Sequence, residues 1–173
     1  ALFAKALGVL LVGSLYGNLA WSYGGLAASV AKEVRSFYGV LKIQPSGSGL
    51  GSRRSLLHGT IQHGAQFDDA ARRSWPTSYY GHFSGVALAI KSRPLPRRIG
   101  VVGLGTGTLA SYGLDGDVLR FYEINSQVVD LARSEFSFLS DSKALIEVAL
   151  GDARQTLERE TKQQFDVLVL DAF

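Results

Sequence analysis

The stretch GVVGLGTGTLASYG, residues 100–113, constrains the fold more than any other. An apolar run enters it, Gly103, Gly105 and Gly107 follow at alternate positions, and small residues leave it. This is the layout of a strand that turns sharply into a helix, because glycine removes the Cβ that would block a tight turn or a close neighbour. The theme then repeats. RIGVVGL reads as a first strand and TGTLASYG as the start of a helix. DVLRFYEI is a second strand, followed by NSQVVDLARSEF, a helix with Asn125 as its cap. ALIEVAL, DARQTLERE and FDVLVLDAF then read as strand, helix and fourth strand. Alternation at this spacing predicts a parallel, doubly wound α/β sheet with right-handed crossovers. In the usual order the first and fourth strands are neighbours, so the fourth, with its apolar run Val167–Leu170, is expected at an open edge.

The residues ahead of this region divide differently. SFYGVLKI is rich in β-formers, PSGSGLGS (45–52) has loop composition, and RRSLLHGTIQHGAQF resumes a strand pattern with Gly59 and Gly64 as bends. A hairpin or small β-domain follows from this. DDAARRSWP (68–76) is a polar connection. Thr77 or Ser78 can cap a helix running to about Ile90, with Tyr80, Phe83, Ala87 and Ile90 on one face.

The first 31 residues stand apart, since no charged side chain occurs between positions 6 and 31. Lys5 precedes the segment, and Lys32 and Arg35 follow it; Tyr16, Trp21 and Tyr23 suit an interface. Gly13 and Gly17 form a small-xxx-small pair on which another helix can pack. A membrane-crossing helix over residues 6–28 is expected, with the α/β part on the cytoplasmic side. A buried core helix, a signal peptide and an interfacial helix are the other readings. The resulting division is 1–31 hydrophobic helix, 32–76 small β-domain and 77–173 partial Rossmann-like domain.

Composition closes off other functions. The net charge is +3, and the pairs Arg53-Arg54, Arg72-Arg73 and Arg97-Arg98 are scattered among acids, so they read as solvated loop ends rather than a nucleic-acid stripe. The chain has no cysteine, and His58, His63 and His82 do not have metal-ligand spacing, so no metal site is expected.

Acids recur where such a sheet places its ligands. Glu123 ends the second strand, where a carboxylate can accept both ribose hydroxyls of an adenosine group. Asp152, in GDAR after the third strand, can accept from an adenine amino group, and Asp171 ends the fourth. The glycine spacing suits an S-adenosyl sulfonium better than a pyrophosphate, which prefers G-x-G-x-x-G.

RSFYGVLKI, LLHGTIQHGAQ, PTSYYGHFSGVALA, VVGLGTGT, FYEIN, LGDAR and FDVLVLDAF together cover the chain from Arg35 to Phe173. In combination they resemble the spermidine synthase-like (polyamine aminopropyltransferase) family, in particular its membrane-attached bacterial branch. The resemblance implies a small β-domain followed by a Rossmann-like sheet of the S-adenosylmethionine-dependent transferase type, incomplete after its fourth strand. It implies decarboxylated S-adenosylmethionine, or S-adenosylmethionine, as substrate and no metal. Gly103, Gly105 and Gly107 would line that ligand, with Glu123 at the ribose, Asp152 and Ala153 at the adenine, and Gln66 at the donor side chain. Tyr79 and Tyr80 would face the acceptor, and Asp171 would orient and deprotonate the attacking amine.

Three departures accompany the resemblance. Thr106 and Phe83 stand where the synthases carry acids, and the second acid of a D-x-x-D signature would fall at position 174. Polyamine recognition uses such carboxylates, so the alternative is a non-catalytic structural or accessory subunit of a membrane complex. The isolated chain is expected to be inactive. Its expected partners are membrane lipid and either a later segment or another protein covering the strand at 165–171.

Overall fold

A computed structural model of the chain describes residues 12–19 and 30–172. Four strands, β1 (Lys32–Ser36), β2 (Gly39–Ser46), β3 (Arg53–His58) and β4 (Ile61–Phe67), form an antiparallel sheet in sequence order. Leu41 and Ile43 alternate inward along β2, as expected of a sheet with one covered face. A register shift between Ser55 and Leu57 breaks the alternation in β3, and both Ser55 and Leu56 are buried there.

The second sheet is wholly parallel and contains β5 (Arg98–Val102), β6 (Val118–Glu123), β7 (Leu145–Leu150) and β8 (Val167–Leu170). Its order is β7-β6-β5-β8, so the first and fourth strands are neighbours and β8 is an edge, as the strand–helix alternation predicts. Helices α3 (Ser126–Ser134) and α4 (Phe138–Asp141) pack on one face, where Ile99, Val101, Leu119 and Phe121 point. Leu41, Ile43 and Leu56 of the antiparallel sheet join the same core. Helix α5 (Ala153–Arg159) lies on the other face, where its end residue Glu160 holds Arg120 at 2.5 Å and accepts from the Tyr122 hydroxyl.

Two expected helices are shorter than the patterns suggest. The segment after Pro76 is a 3-10 turn at Ser78–Tyr80 and then a separate α2 (Gly85–Lys91). Ser78 has φ 56°, which a helix does not tolerate, and the cap is Ser84, whose hydroxyl accepts from the Ala87 N–H at 3.2 Å. Phe83 therefore leaves the inner face and is 94% exposed. The segment after the glycine turn is only a 3-10 turn, Thr108–Tyr112. It stops at Gly113, which packs so closely on Ala144 and Ser142 that a side chain there would collide with both.

Arg97 is the exception among the basic pairs, since it is buried rather than solvated. Its guanidinium donates to Asp117 at 2.5 Å and to the carbonyls of Ile90 and Tyr112, both at 3.1 Å. Burial alone would push the Asp117 carboxyl up, but Arg97 and the backbone N–H groups of Leu114 and Arg97 hold it below its ordinary value.

Residues 12–19 form helix α1, and every one of them is exposed, Leu15 and Tyr16 included. No helix among the described residues is long and apolar enough to cross a membrane. Most of the span expected over 6–28 lies outside the described residues.

Candidate functional site

The four parallel strands end on one side of the sheet, and their ladders run on into the loops. Gly103 N–H donates to Tyr122 O at 2.8 Å, Gly151 N–H to Glu123 O at 2.8 Å and Asp171 N–H to Val102 O at 2.9 Å. A cleft of about 510 Å³ opens over these ends. One wall is the parallel sheet's own rim: Gly103, Leu104, Gly105, Glu123, Asp152, Ala153 and Asp171. The other comes from the antiparallel sheet: Tyr38, Leu41, His58 and His63. The crevice at the switch between β5 and β8 is where open α/β sheets accept ligands.

The hairpin wall is fixed by hydrogen bonds to α3. Asn125 Nδ2 donates to Ser36 Oγ at 3.3 Å, and Gln127 Nε2 donates to Arg35 O at 3.0 Å. Lys32 and Glu135 pair at 2.7 Å. These contacts hold the antiparallel sheet against α3.

The glycines of the turn meet protein before they meet any ligand. Gly103 has φ 95°, and a Cβ there would strike the Asp171 carbonyl. Gly105 has φ 54°, and a Cβ there would strike the His63 carbonyl. Both also line the cleft. Gly107 packs on Leu139 and does not line it. Thr106, the position of the missing acid, is buried: it lies against Gly64, and its hydroxyl is 2.8 Å from that of Thr108.

The three acids reach the cleft and each has a local task. Glu123 Oε2 accepts from Leu104 N–H at 3.1 Å and Oε1 from Asn125 N–H at 2.9 Å. Each carboxylate oxygen keeps a second lone pair, so a ribose diol can still be accepted. Asp152 caps α5 by accepting from Gln155 N–H at 2.8 Å. Asp171 accepts from the Tyr80 hydroxyl, which lies 2.9 Å from that of Tyr79. Burial pushes the Asp171 carboxyl up, against the pull of Tyr80, His63 and Tyr79. Burial and then the Asp171 carboxylate hold the Tyr80 phenol above its ordinary range.

Tyr79 and Tyr80 thus stand beside Asp171 without lining the cleft. Gln66 is elsewhere. Its buried amide donates to Arg73 O and Ser137 Oγ, both at 2.9 Å, and accepts from Ser137 N–H at 3.0 Å. Those bonds tie the antiparallel sheet to α4 and use the amide's capacity away from the cleft. Cleft residues that the sequence does not single out include Tyr38, His58, His63 and Arg154; the two histidines stand in the repeated His-Gly of LHGTIQHG, a stretch that reads as strand with glycine bends and whose histidines lack metal-ligand spacing. Among the described residues no group of three or more His, Asp or Glu is arranged to hold a metal.

Comparison of the chain with protein-family models and with curated proteins finds no match to either.

Proposed function

We propose that the cleft binds the adenosyl group of decarboxylated S-adenosylmethionine or S-adenosylmethionine, and that the chain is a membrane-tethered, spermidine synthase-like protein. The observation that carries this reading is the succession of strand ends. Asp152 after β7, Glu123 at the end of β6, Gly103 after β5 and Asp171 after β8 border one cleft in the spatial order β7-β6-β5-β8. An adenine, a ribose and a 5′ substituent can lie along that row. The exposed apolar side chains Val12, Leu15, Tyr16 and Leu19 support the membrane attachment.

A second reading has its own support. The turn glycines and all three acids have structural tasks without a ligand, and Leu168 and Leu170 of the edge strand are exposed. This combination suits a non-catalytic subunit whose edge at 165–171 is covered by a partner.

Calorimetry with 5′-methylthioadenosine separates the two. The adenosyl reading expects binding, and Glu123→Gln should weaken it by about 1.5–3 kcal/mol, the range for hydrogen bonds to a charged group. Gln keeps an acceptor for only one of the two N–H groups that Glu123 holds, those of Leu104 and Asn125, so the variant's fold is checked by circular dichroism alongside. No binding by the parent chain favours the accessory reading.

A further inference from the structure

Among the basic side chains that border the cleft, His58, His63 and Arg154, His63 is the one on which the acids of the opposite wall act. His63 lies on β4, in the wall facing the glycine turn, and its own carbonyl is the surface against which Gly105 packs. Its ring centroid is 5.8 Å from that of His58 on β3. Glu123 from β6 and Asp171 beyond β8 are the charged groups that act on it from the opposite wall. The row of strand ends puts the ribose position at Glu123 and the 5′ substituent between Gly103 and Asp171. A sulfur attached at the 5′ carbon therefore falls in the part of the cleft that His63 borders.

We propose that His63 sets the charge selectivity of this end of the cleft: as a neutral imidazole it admits a sulfonium beside Glu123 and Asp171, and as an imidazolium it rejects the cation but still admits the neutral thioether. This rests on the adenosyl reading of the cleft. Glu123, Asp171 and the rings of His58 and His63 border one small space, so a charge gained by the His63 ring changes what that space admits. Burial and the neighbouring His58 hold the His63 imidazole below its ordinary value, against Glu123 and Asp171, which pull it up. The ring is therefore held in its neutral form at neutral pH more firmly than an ordinary imidazole and gains its charge only on acidification. In any transfer from a sulfonium the sulfur loses its charge and the departing group carries away any charge of its own, as an aminopropyl group does, so the product left in the cleft is the neutral thioether that an imidazolium still admits.

The test uses a matched pair of ligands, 5′-methylthioadenosine and its S-methyl sulfonium, which differ by one methyl group and one charge. Their affinities for the full chain are measured at about pH 7.5 and about pH 5.5. Sulfonium affinity should fall several-fold on acidification, while thioether affinity stays within about twofold. His63→Gln should remove most of the sulfonium's loss; the remainder belongs to Asp171, whose carboxyl is pushed up by burial. In the unmutated chain, NMR titration of the His63 ring should show its midpoint lowered by the sulfonium and unmoved by the thioether. Equal losses for both ligands, an unaltered loss in His63→Gln, or a midpoint indifferent to the sulfonium each overturns the proposal and leaves the adenosyl reading standing. If neither ligand binds at about pH 7.5, the adenosyl reading falls and the proposal falls with it.

Discussion

The parallel sheet has two faces built on the same four strands, and they differ in what covers them. One presents Ile99, Val101, Leu119 and Phe121 to α3, α4 and the antiparallel sheet, all four buried. The other presents Gly100, Arg120, Tyr122, Glu147, Leu168 and Leu170, and α5 covers only part of it. Beneath α5 that face is polar: Arg120 pairs with Glu160 at 2.5 Å and Glu147 at 3.1 Å. Past α5, at the β8 edge, it is apolar and open, with Leu168 46% and Leu170 76% exposed. A continuous apolar run such as VLVL is written for burial on both sides, and here one side alone is covered. The difference places the sheet's uncovered apolar surface on one edge of one face, while the cleft over the strand ends has two walls.

Substitutions on the two faces should separate accordingly. Phe121→Ala, on the covered face, should destabilise the chain by about 3–5 kcal/mol in chemical denaturation, because the neighbouring core cannot close over the lost ring. A loss below about 1 kcal/mol would mean that face is loosely packed. Gly100→Ala tests the part under the α5–β8 connection. A Cβ there would come within 2.7 Å of the Phe165 ring and 2.9 Å of Leu168, and a cost of about 1–3 kcal/mol is expected from overpacking. Leu170→Ser, at the open edge, should change stability by no more than about 0.5 kcal/mol, as for an ordinary surface position. A large loss there in the isolated chain would show that something already covers the edge, and the comparison of faces would fail.

Local chemistry explains which features could be read from the sequence. Asn125 is legible as a cap because its bond reaches only two residues along the chain, to Gln127 N–H; Asp152, read from the sequence as an adenine acceptor, caps α5 through a bond just as local, to Gln155 N–H. The order β7-β6-β5-β8 is the usual one for a doubly wound sheet, in which the fourth strand returns to lie beside the first. Glu123 and Asp171 were placed by position at strand ends alone. Features set by distant partners were not legible. Arg97 looks like any other arginine until Asp117 closes on it. Gln66 sits within a motif that reads as ligand-binding, yet its amide serves Ser137. His63 reaches the cleft only because β4 crosses the glycine turn, and that crossing shows in the sequence only as two small positions, Gly64 and Gly105, that must fit Thr106 and a backbone carbonyl.

The adenosyl reading of the cleft is tested most directly by amide NMR of the isotope-labelled full chain titrated with 5′-methylthioadenosine. The expected result is a saturable set of shift changes centred on residues 103–105, 123–125 and 151–153, with smaller ones at Tyr38 and Asp171. An unchanged spectrum at millimolar ligand, or changes confined to the exposed face around Leu168 and Leu170, would contradict it.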